Sequence, residues 1–236
     1  MKCCIIGLGV FGRNLAVNLA QLGAEVLAID RREDNVSLIK DEVGAAIIMD
    51  FADTSPLARL AIDEMDAVVV AIGDDFESSM AMTVKAQELG AKRIVCRVLS
   101  PMHARLLRLM KVDRLVIPEE VAARGLAHSL LMRGVVDGFD MGSGHAIIEA
   151  DVPGKLLGRN LSQTADIFKK HDVRLVTIKR RNDRPIGTFF KGGDIEVNRR
   201  TLGVINLGDT FTEGDIFVLF GAEKGLRDFL DENSAD

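Results

Sequence analysis

Short apolar runs alternate with longer amphipathic stretches along the first 132 residues. The runs have the length of β-strands, and the stretches between them repeat apolar residues at a helical period. The runs are CCIIG (3–7), EVLAID (25–30), AAIIMD (45–50), AVVVAIG (67–73), RIVCRV (93–98) and DRLVIP (113–118). This rhythm predicts an α/β fold with a doubly wound parallel sheet, because strands this apolar need helices on both faces.

Turn residues mark the ends of the predicted helices. Gly23 ends a first helix over 11–23, and Ser100 and Pro101 begin another over 100–110. The remaining predicted helices cover 32–44, 55–62, 78–90 and 119–132. Together with the strands they predict a Rossmann-like domain over residues 1–135.

The pattern changes after Met132. The segment RGVVDGFDMGSGHA (133–146) is rich in glycine and has no helical period, so it predicts a linker. Strands at 145–152 and 173–180, a strand ending near 221, and helices at 162–171 and 222–230 follow it, with RPIGTFFKGGD (184–194) as a turn region. These elements predict a second, smaller α+β domain over 142–232.

Composition narrows the class of protein. The formal net charge of −5 disfavours nucleic-acid binding, which needs a basic surface. The three cysteines lie in apolar strands without metal-ligand spacing, as expected of buried free thiols in a reducing compartment. No apolar run approaches the roughly 20 residues that cross a bilayer. We therefore expect a soluble, cytoplasmic protein whose membrane role, if it has one, comes through a partner.

The chemistry concentrates in a Gly-x-Gly-x-x-Gly turn between the first strand and the first helix. In this context Gly7 permits the tight turn, Gly9 lets the backbone approach a diphosphate, and Gly12 allows close packing. The amides at the helix N-terminus then bind phosphate. The candidate nucleotide ligands are Gly7, Gly9, Val10, Phe11, Gly12, Arg13, Asp30, Arg31, Asp50, Phe51, Ala71, Ile72, Gly73 and Arg97.

Asp30 ends the second strand, where an acid can accept hydrogen bonds from both ribose hydroxyls of an adenosine. A 2′-phosphate would be repelled there, which disfavours NADPH. Arg31 and Arg32 oppose that exclusion, although both also fit a solvated entry to the next helix. Arg97 either meets a terminal phosphate or pairs with a nearby acid.

Signals of catalysis are absent from the sequence. None of the four histidines has an evident paired acid, metal or nucleophile, and tyrosine, the proton donor of many dehydrogenases, does not occur. No GxSxG, HExxH or Walker motif is found. This favours a nucleotide sensor that is not an enzyme. The alternatives are an NAD-dependent oxidoreductase with a small substrate domain and a redox-sensing transcriptional regulator, although no helix-turn-helix supports the latter.

The order of motifs resembles the RCK (KTN) family over nearly the whole chain. The motifs are GLGVFGRNLAVNL, EVLAIDRRED, MDFADTSPL, DAVVVAIGDD, AKRIVCRVLSPMHARLLRLMKVDRLVIPEE, PGKLLGRNLSQ, VRLVTIKRR and GDTFTEGDIFVLFG. Members of the family are cytosolic regulatory subunits of Trk/Ktr-type potassium uptake systems and gating domains of potassium channels. The resemblance implies an RCK N-lobe and C-lobe, with one RCK unit in this chain.

The resemblance also implies a mechanism. Such subunits form dimers that assemble into octameric rings on the inner face of the membrane, beneath a potassium-transporting subunit. The conformation of the ring depends on whether ATP or ADP, or NADH or NAD, is bound. The resemblance therefore implies an adenine nucleotide as cofactor. Glu119 matches an acid that helps to bind a divalent cation in some relatives. Alternatively, its carboxylate interacts favourably with the dipole at the N-terminus of its own helix. Some relatives have an arginine on the γ-phosphate at the position of Val10, and Arg13 one turn later can substitute for it.

Overall fold

Six short strands in the first half of the chain form one parallel sheet. A computed structural model describes residues 1–181 and 199–234. The strands are β1 (Lys2–Ile6), β2 (Glu25–Asp30), β3 (Ala45–Ile48), β4 (Ala67–Val70), β5 (Ile94–Arg97) and β6 (Arg114–Val116). Their order in the sheet is β3-β2-β1-β4-β5-β6. The predicted doubly wound sheet is confirmed.

Two apolar cores cover the two faces of this sheet. Side chains of β4 alternate between them, because Val68 and Val70 pack into one core and Val69 packs into the other. All four residues of β4 are buried, as a strand covered on both sides must be.

Four α-helices of this half connect the strands. They are α1 (Val10–Gln21), α2 (Glu33–Ser37), α3 (Phe76–Glu88) and α4 (Pro101–Leu109). The prediction of a helix over 32–44 was too long, since the chain continues after Ser37 as turns. The predicted helix at 55–62 is instead a 3₁₀ turn at Ser55–Arg59 and another at Ile62–Glu64, separated by Ala61 in a left-handed conformation with φ 46°.

The second half of the described chain folds around an antiparallel sheet. The strands are β7 (Val135–Gly142), β8 (His145–Asp151), β9 (Arg174–Arg181), β10 (Arg199–Thr201) and β11 (Ile216–Ala222), in the order β10-β9-β11-β8-β7. The helices are α5 (Pro118–Leu131), α6 (Leu161–Lys170) and α7 (Glu223–Asn233). The core is aromatic, with Phe168 against Phe217 and Phe229, and Phe211 against Phe217.

The predicted linker is wrong, because most of it is strand β7. The strand pairs with β8 through a two-residue turn at Ser143 and Gly144, both with positive φ. Such a turn matches the twist of a hairpin. Two register shifts interrupt the β7–β8 ladder, at Val135/Asp137 and Asp140/Gly142. These irregularities and the glycines hide the alternation by which a strand is recognised. The short strand β10 also lacks a sequence signal, and the predicted turn region at 184–194 lies outside the described residues.

The chain divides into two compact units, Met1–Pro118 and Glu119–Asp236. Nearly all of α5 therefore groups with the second unit, whereas the predicted first domain, residues 1–135, includes it. The domain ranges 1–135 and 142–232 stay a prediction. Among the described residues, no helix has both the length and the apolar character that a membrane span requires.

Candidate functional site

A cavity of about 420 Å³ opens at the carboxyl ends of β1, β2 and β4 in the first unit. Ligands bind at this edge of open α/β sheets, beside the point where the strand order reverses. The lining residues are Gly7, Leu8, Gly9, Val10, Arg13, Asp30, Arg31, Arg32, Asn35, Phe51, Ala71, Ile72, Gly73, Asp74 and Arg97.

The glycine turn forms the floor of the cavity. Gly7 has φ +97°, and a Cβ there would lie 2.8 Å from the backbone nitrogen of Ile72. A Cβ on Gly12 would lie 1.9 Å from the carbonyl oxygen of Gly7. A Cβ on Gly9 would have nothing within 4 Å. Gly7 and Gly12 are therefore required for the backbone to close, whereas Gly9 leaves a bare backbone facing open space.

No side chain of the first turn of α1 offsets the partial positive charge at the start of the helix. The residue that precedes it, Gly9, has no side chain to cap the helix, and the first turn contains no acidic residue. The first amides and the helix dipole therefore present a partial positive charge to the cavity. This arrangement suits a phosphate group.

Asp30 is a structural anchor as well as a candidate ligand. Its side chain is buried, with 5% of the residue exposed. One carboxylate oxygen accepts a hydrogen bond from the backbone N–H of Leu8 at 2.5 Å, and the other accepts from that of Arg32 at 2.8 Å. Because a carboxylate offers about four acceptor positions, these two bonds leave room for ribose hydroxyls. The sequence pattern predicts the ligand role of Asp30, whereas its anchoring role is visible only in the structure.

Arginines dominate the charge of the cavity. Arg13, Arg31, Arg32 and Arg97 line it, whereas Asp30 and Asp74 are its only acidic lining residues among those described. The guanidinium of Arg97 lies against Gly73, since a Cβ on that glycine would be 2.3 Å from an Arg97 Nη. Several guanidinium groups around one uncapped helix start favour a ligand with more than one phosphate.

Most of the predicted nucleotide ligands lie in this cavity, and three do not line it. Phe11 packs against the neighbouring apolar core, Gly12 packs under the turn, and the carboxylate of Asp50 accepts from the backbone N–H of Ala52 at 3.0 Å. Leu8, Arg32, Asn35 and Asp74 line the cavity and were not among the predicted ligands. Leu8, Arg32 and Asp74 lie in the loops that follow β1, β2 and β4, and Asn35 lies in the first turn of α2, so their place after these strands is the signal that could have identified them.

Glu119 lies in the second unit, exposed, in the first turn of α5. Among the described residues, no group of three or more His, Cys, Asp or Glu side chains is arranged to hold a metal ion. The cation role of Glu119 stays a prediction.

Reactive side chains elsewhere in the first unit are buried in its core. Burial raises the pKa of the Cys4 thiol to about 12 and that of the Cys96 thiol to about 11. His103 is fully buried, and burial lowers the pKa of its imidazole. Its Nδ1 accepts from the backbone N–H of Leu99 at 3.2 Å, so Nε2 carries the proton and faces the hydroxyl of Ser79 at 3.5 Å.

Sequence comparison identifies relatives that belong to potassium uptake systems. A family model described as the TrkA-N domain matches residues 3–118. The chain is 32% identical over 176 residues to the Ktr system potassium uptake protein C of Bacillus subtilis (strain 168), covering 75% of this chain and 79% of that protein. It is also 32% identical over 176 residues to the Ktr system potassium uptake protein A of Vibrio alginolyticus, covering 75% of this chain and 80% of that protein.

A solved structure has the same fold. The structure described as the GsuK channel bound to NAD matches 100% of this chain with a TM-score of 0.60 and 16% sequence identity. The chain covers 39% of that structure's length. At this identity the likeness concerns the fold.

Proposed function

Since the chain belongs to the RCK/KTN family of potassium-transport regulatory proteins, we propose that it is a nucleotide-sensing subunit that gates a membrane potassium uptake system or channel. The relatives named Ktr system potassium uptake proteins support the transport role. The cavity of the first unit supports the nucleotide, and it is the observation on which the proposal depends.

The ligand is an adenine nucleotide, either ATP and ADP or NAD and NADH. Its phosphates lie on the amides at the start of α1, where Gly9 permits close approach, and Arg13 and Arg97, which line the cavity, neutralise their charge. Asp30 accepts the ribose hydroxyls with its remaining lone pairs. Phe51, buried and lining the cavity, contacts the adenine. The GsuK channel, which shares this fold, has been solved bound to NAD, and that ligand agrees with the assignment.

Binding gates transport by favouring one of two shapes of an assembly. A ligand shifts such an equilibrium only as far as its affinities for the two shapes differ, so the two members of a nucleotide pair must bind the shapes unequally. The assembly is a dimer that builds an octameric ring on the cytoplasmic face of the membrane, against the potassium-transporting subunit. Glu119 contributes to a divalent cation site in that assembly.

The exposed apolar side chains of α5 support the dimer. Val121, Leu126, Leu130 and Leu131 are each at least 60% exposed. Leu126 and Leu130 are one helical turn apart and share a face of α5, and apolar exposure of this kind is typical of an interaction surface. A second copy of the chain that covers this face removes both side chains from water.

Two experiments test the proposal. Calorimetric titration of the purified chain with ATP, ADP, NAD⁺ and NADH should show binding of at least one pair, and binding of none would contradict it. Deleting the coding sequence from its host should change rubidium tracer uptake, with restoration by the wild-type chain and not by a chain whose nucleotide site is blocked.

The dimer has its own test. Leu130→Glu places a charge on α5, and Leu22→Glu, on the residue after α1 that is 85% exposed, is the matched control. Light scattering at micromolar concentration should show a smaller species for Leu130→Glu alone. A wild-type monomer would contradict the dimer while leaving nucleotide binding in place.

A further inference from the structure

An ion pair crosses the mouth of the cavity in the first unit. The Arg31 guanidinium donates to a carboxylate oxygen of Asp75 at 3.2 Å and to one of Asp74 at 3.3 Å. Arg31 directly follows β2, and the two acids lie in the loop after β4. Because β1 lies between β2 and β4 in the sheet, the pair spans the end of β1, where the glycine turn begins.

The acidic side of this pair is held in place. Asp75 caps the N-terminus of α3, where its carboxylate accepts from the backbone N–H of Ser78 at 2.9 Å and from its hydroxyl at 2.7 Å. The Asp75 side chain is 28% exposed, whereas that of Asp74 is 77% exposed. Arg31 is therefore drawn towards a fixed helix start on the far side of β1.

The position of Arg31 bears on the ribose. In this fold an acid at the end of the second strand bonds the ribose 2′-hydroxyl, and a nearby arginine is what accommodates a 2′-phosphate instead. Asp30 is that acid, and Arg31 is the adjacent arginine. Its guanidinium is engaged by two carboxylates, and a cation that is already paired offers less attraction to a 2′-phosphate.

We propose that Asp74 and Asp75 are specificity determinants that, by holding Arg31, make the cavity select nucleotides with a free ribose 2′-hydroxyl over 2′-phosphorylated ones. This rests on the proposed nucleotide function of the same cavity. Asp30 repels a 2′-phosphate directly, and the two acids remove the cation that would otherwise offset that repulsion.

The test releases Arg31 without disturbing the fold. In Asp74→Asn/Asp75→Asn both acids lose their charge, and asparagine at position 75 still caps α3 because the two residues are equivalent as caps. Calorimetry would compare NAD⁺ with NADP⁺, and AMP with adenosine 2′,5′-bisphosphate. The preference for the 2′-hydroxyl form should fall by about tenfold or more, the size of one charge-assisted hydrogen bond.

Three controls separate the effect of the Arg31 ion pair from effects of net charge and of stability. Adding Arg31→Gln to the double variant should restore the preference. Glu33→Gln/Asp41→Asn removes two exposed charges from the first turn of α2 and the turns that follow it, and it should leave the preference nearly unchanged. The single variant Asp74→Asn, at the more exposed acid, should show part of the effect with wild-type thermal stability.

The outcomes distinguish this inference from the proposed function. If NAD⁺ or AMP binds and the preference is unchanged in the double variant, the inference is overturned and the nucleotide function stands. If the double variant gains affinity for 2′-phosphorylated nucleotides and keeps that gain after Arg31→Gln is added, the inference is also overturned. Arg32 or the change in net charge would then be responsible. If no adenine nucleotide binds the wild-type chain, both fail together.

Discussion

Replacing Gly9 by alanine adds one methyl group at the centre of the glycine turn and separates folding from binding. The backbone of Gly9 has φ −59° and ψ −175°, which alanine adopts without strain, and the added Cβ meets nothing within 4 Å. Alanine is a poorer residue than glycine before a helix, but it also restricts the unfolded chain by about 0.4–1 kcal/mol. The two effects nearly cancel, so the free energy of unfolding should change by less than about 0.5 kcal/mol.

The same methyl group should obstruct a ligand. It occupies the space through which phosphate oxygens approach the first amides of α1, and each charge-assisted bond lost costs about 1.5–3 kcal/mol. We therefore expect nucleotide affinity to fall at least about tenfold. Gly12→Ala is the matched control, because its Cβ would lie 1.9 Å from the Gly7 carbonyl oxygen. That overlap should cost about 1–3 kcal/mol of stability or more.

Urea denaturation and calorimetric titration on both variants decide the matter. Wild-type affinity in Gly9→Ala would refute the assignment of phosphate to this turn. A loss of stability in Gly9→Ala as large as in Gly12→Ala would refute the geometric argument itself.

Four further predictions follow from single groups. Asp30→Ala leaves two backbone amides without acceptors, so it should lower the free energy of unfolding by about 1–3 kcal/mol and also lower nucleotide affinity. Unchanged calorimetric affinity for ATP, ADP and NAD(H) alike would contradict this prediction. Burial lowers the pKa of His103, so the unfolded chain binds the extra proton first, and stability should fall as the pH drops below about 6.5. Urea denaturation of His103→Gln should show a shallower decline over this range, and an identical slope would refute the assignment. Asp215→Asn removes the charged partner of two Arg180 hydrogen bonds, at 2.8 and 2.7 Å, and should lower the free energy of unfolding by about 2–3 kcal/mol. A change under about 0.5 kcal/mol in urea denaturation would show that the pair does not stabilise the fold. Because burial raises the pKa of Cys4 to about 12, a thiol reagent should leave it unmodified in the native chain and modify it in denaturant, as peptide mass spectrometry can show.

The first unit could be predicted because its determinants are local. Each strand of the parallel sheet is an apolar run bounded by turn residues, and the spacing of Gly7, Gly9 and Gly12 requires only neighbours in sequence. The cavity follows from these elements, since parallel strands bring their carboxyl ends to one edge.

The remaining features depend on partners far apart in sequence. Arg31 meets Asp74 and Asp75 across 43 and 44 residues, and no local pattern says which exposed charges will pair. The anchoring role of Asp30 requires knowing that the Leu8 amide faces it. Strand β7 was missed because its glycines and bulges suppress the period of two, so it is recognised only through its pairing with β8.

Asp30 has a consequence for the thermodynamics of recognition. By tying the amide that follows Gly7 to the end of β2, its carboxylate gives the turn its shape from within the chain. A ligand therefore does not spend binding free energy on ordering that segment, and the entropic cost of association falls mainly on the nucleotide itself. In the proposed assembly, the free energy so conserved would remain available to favour one of its two shapes.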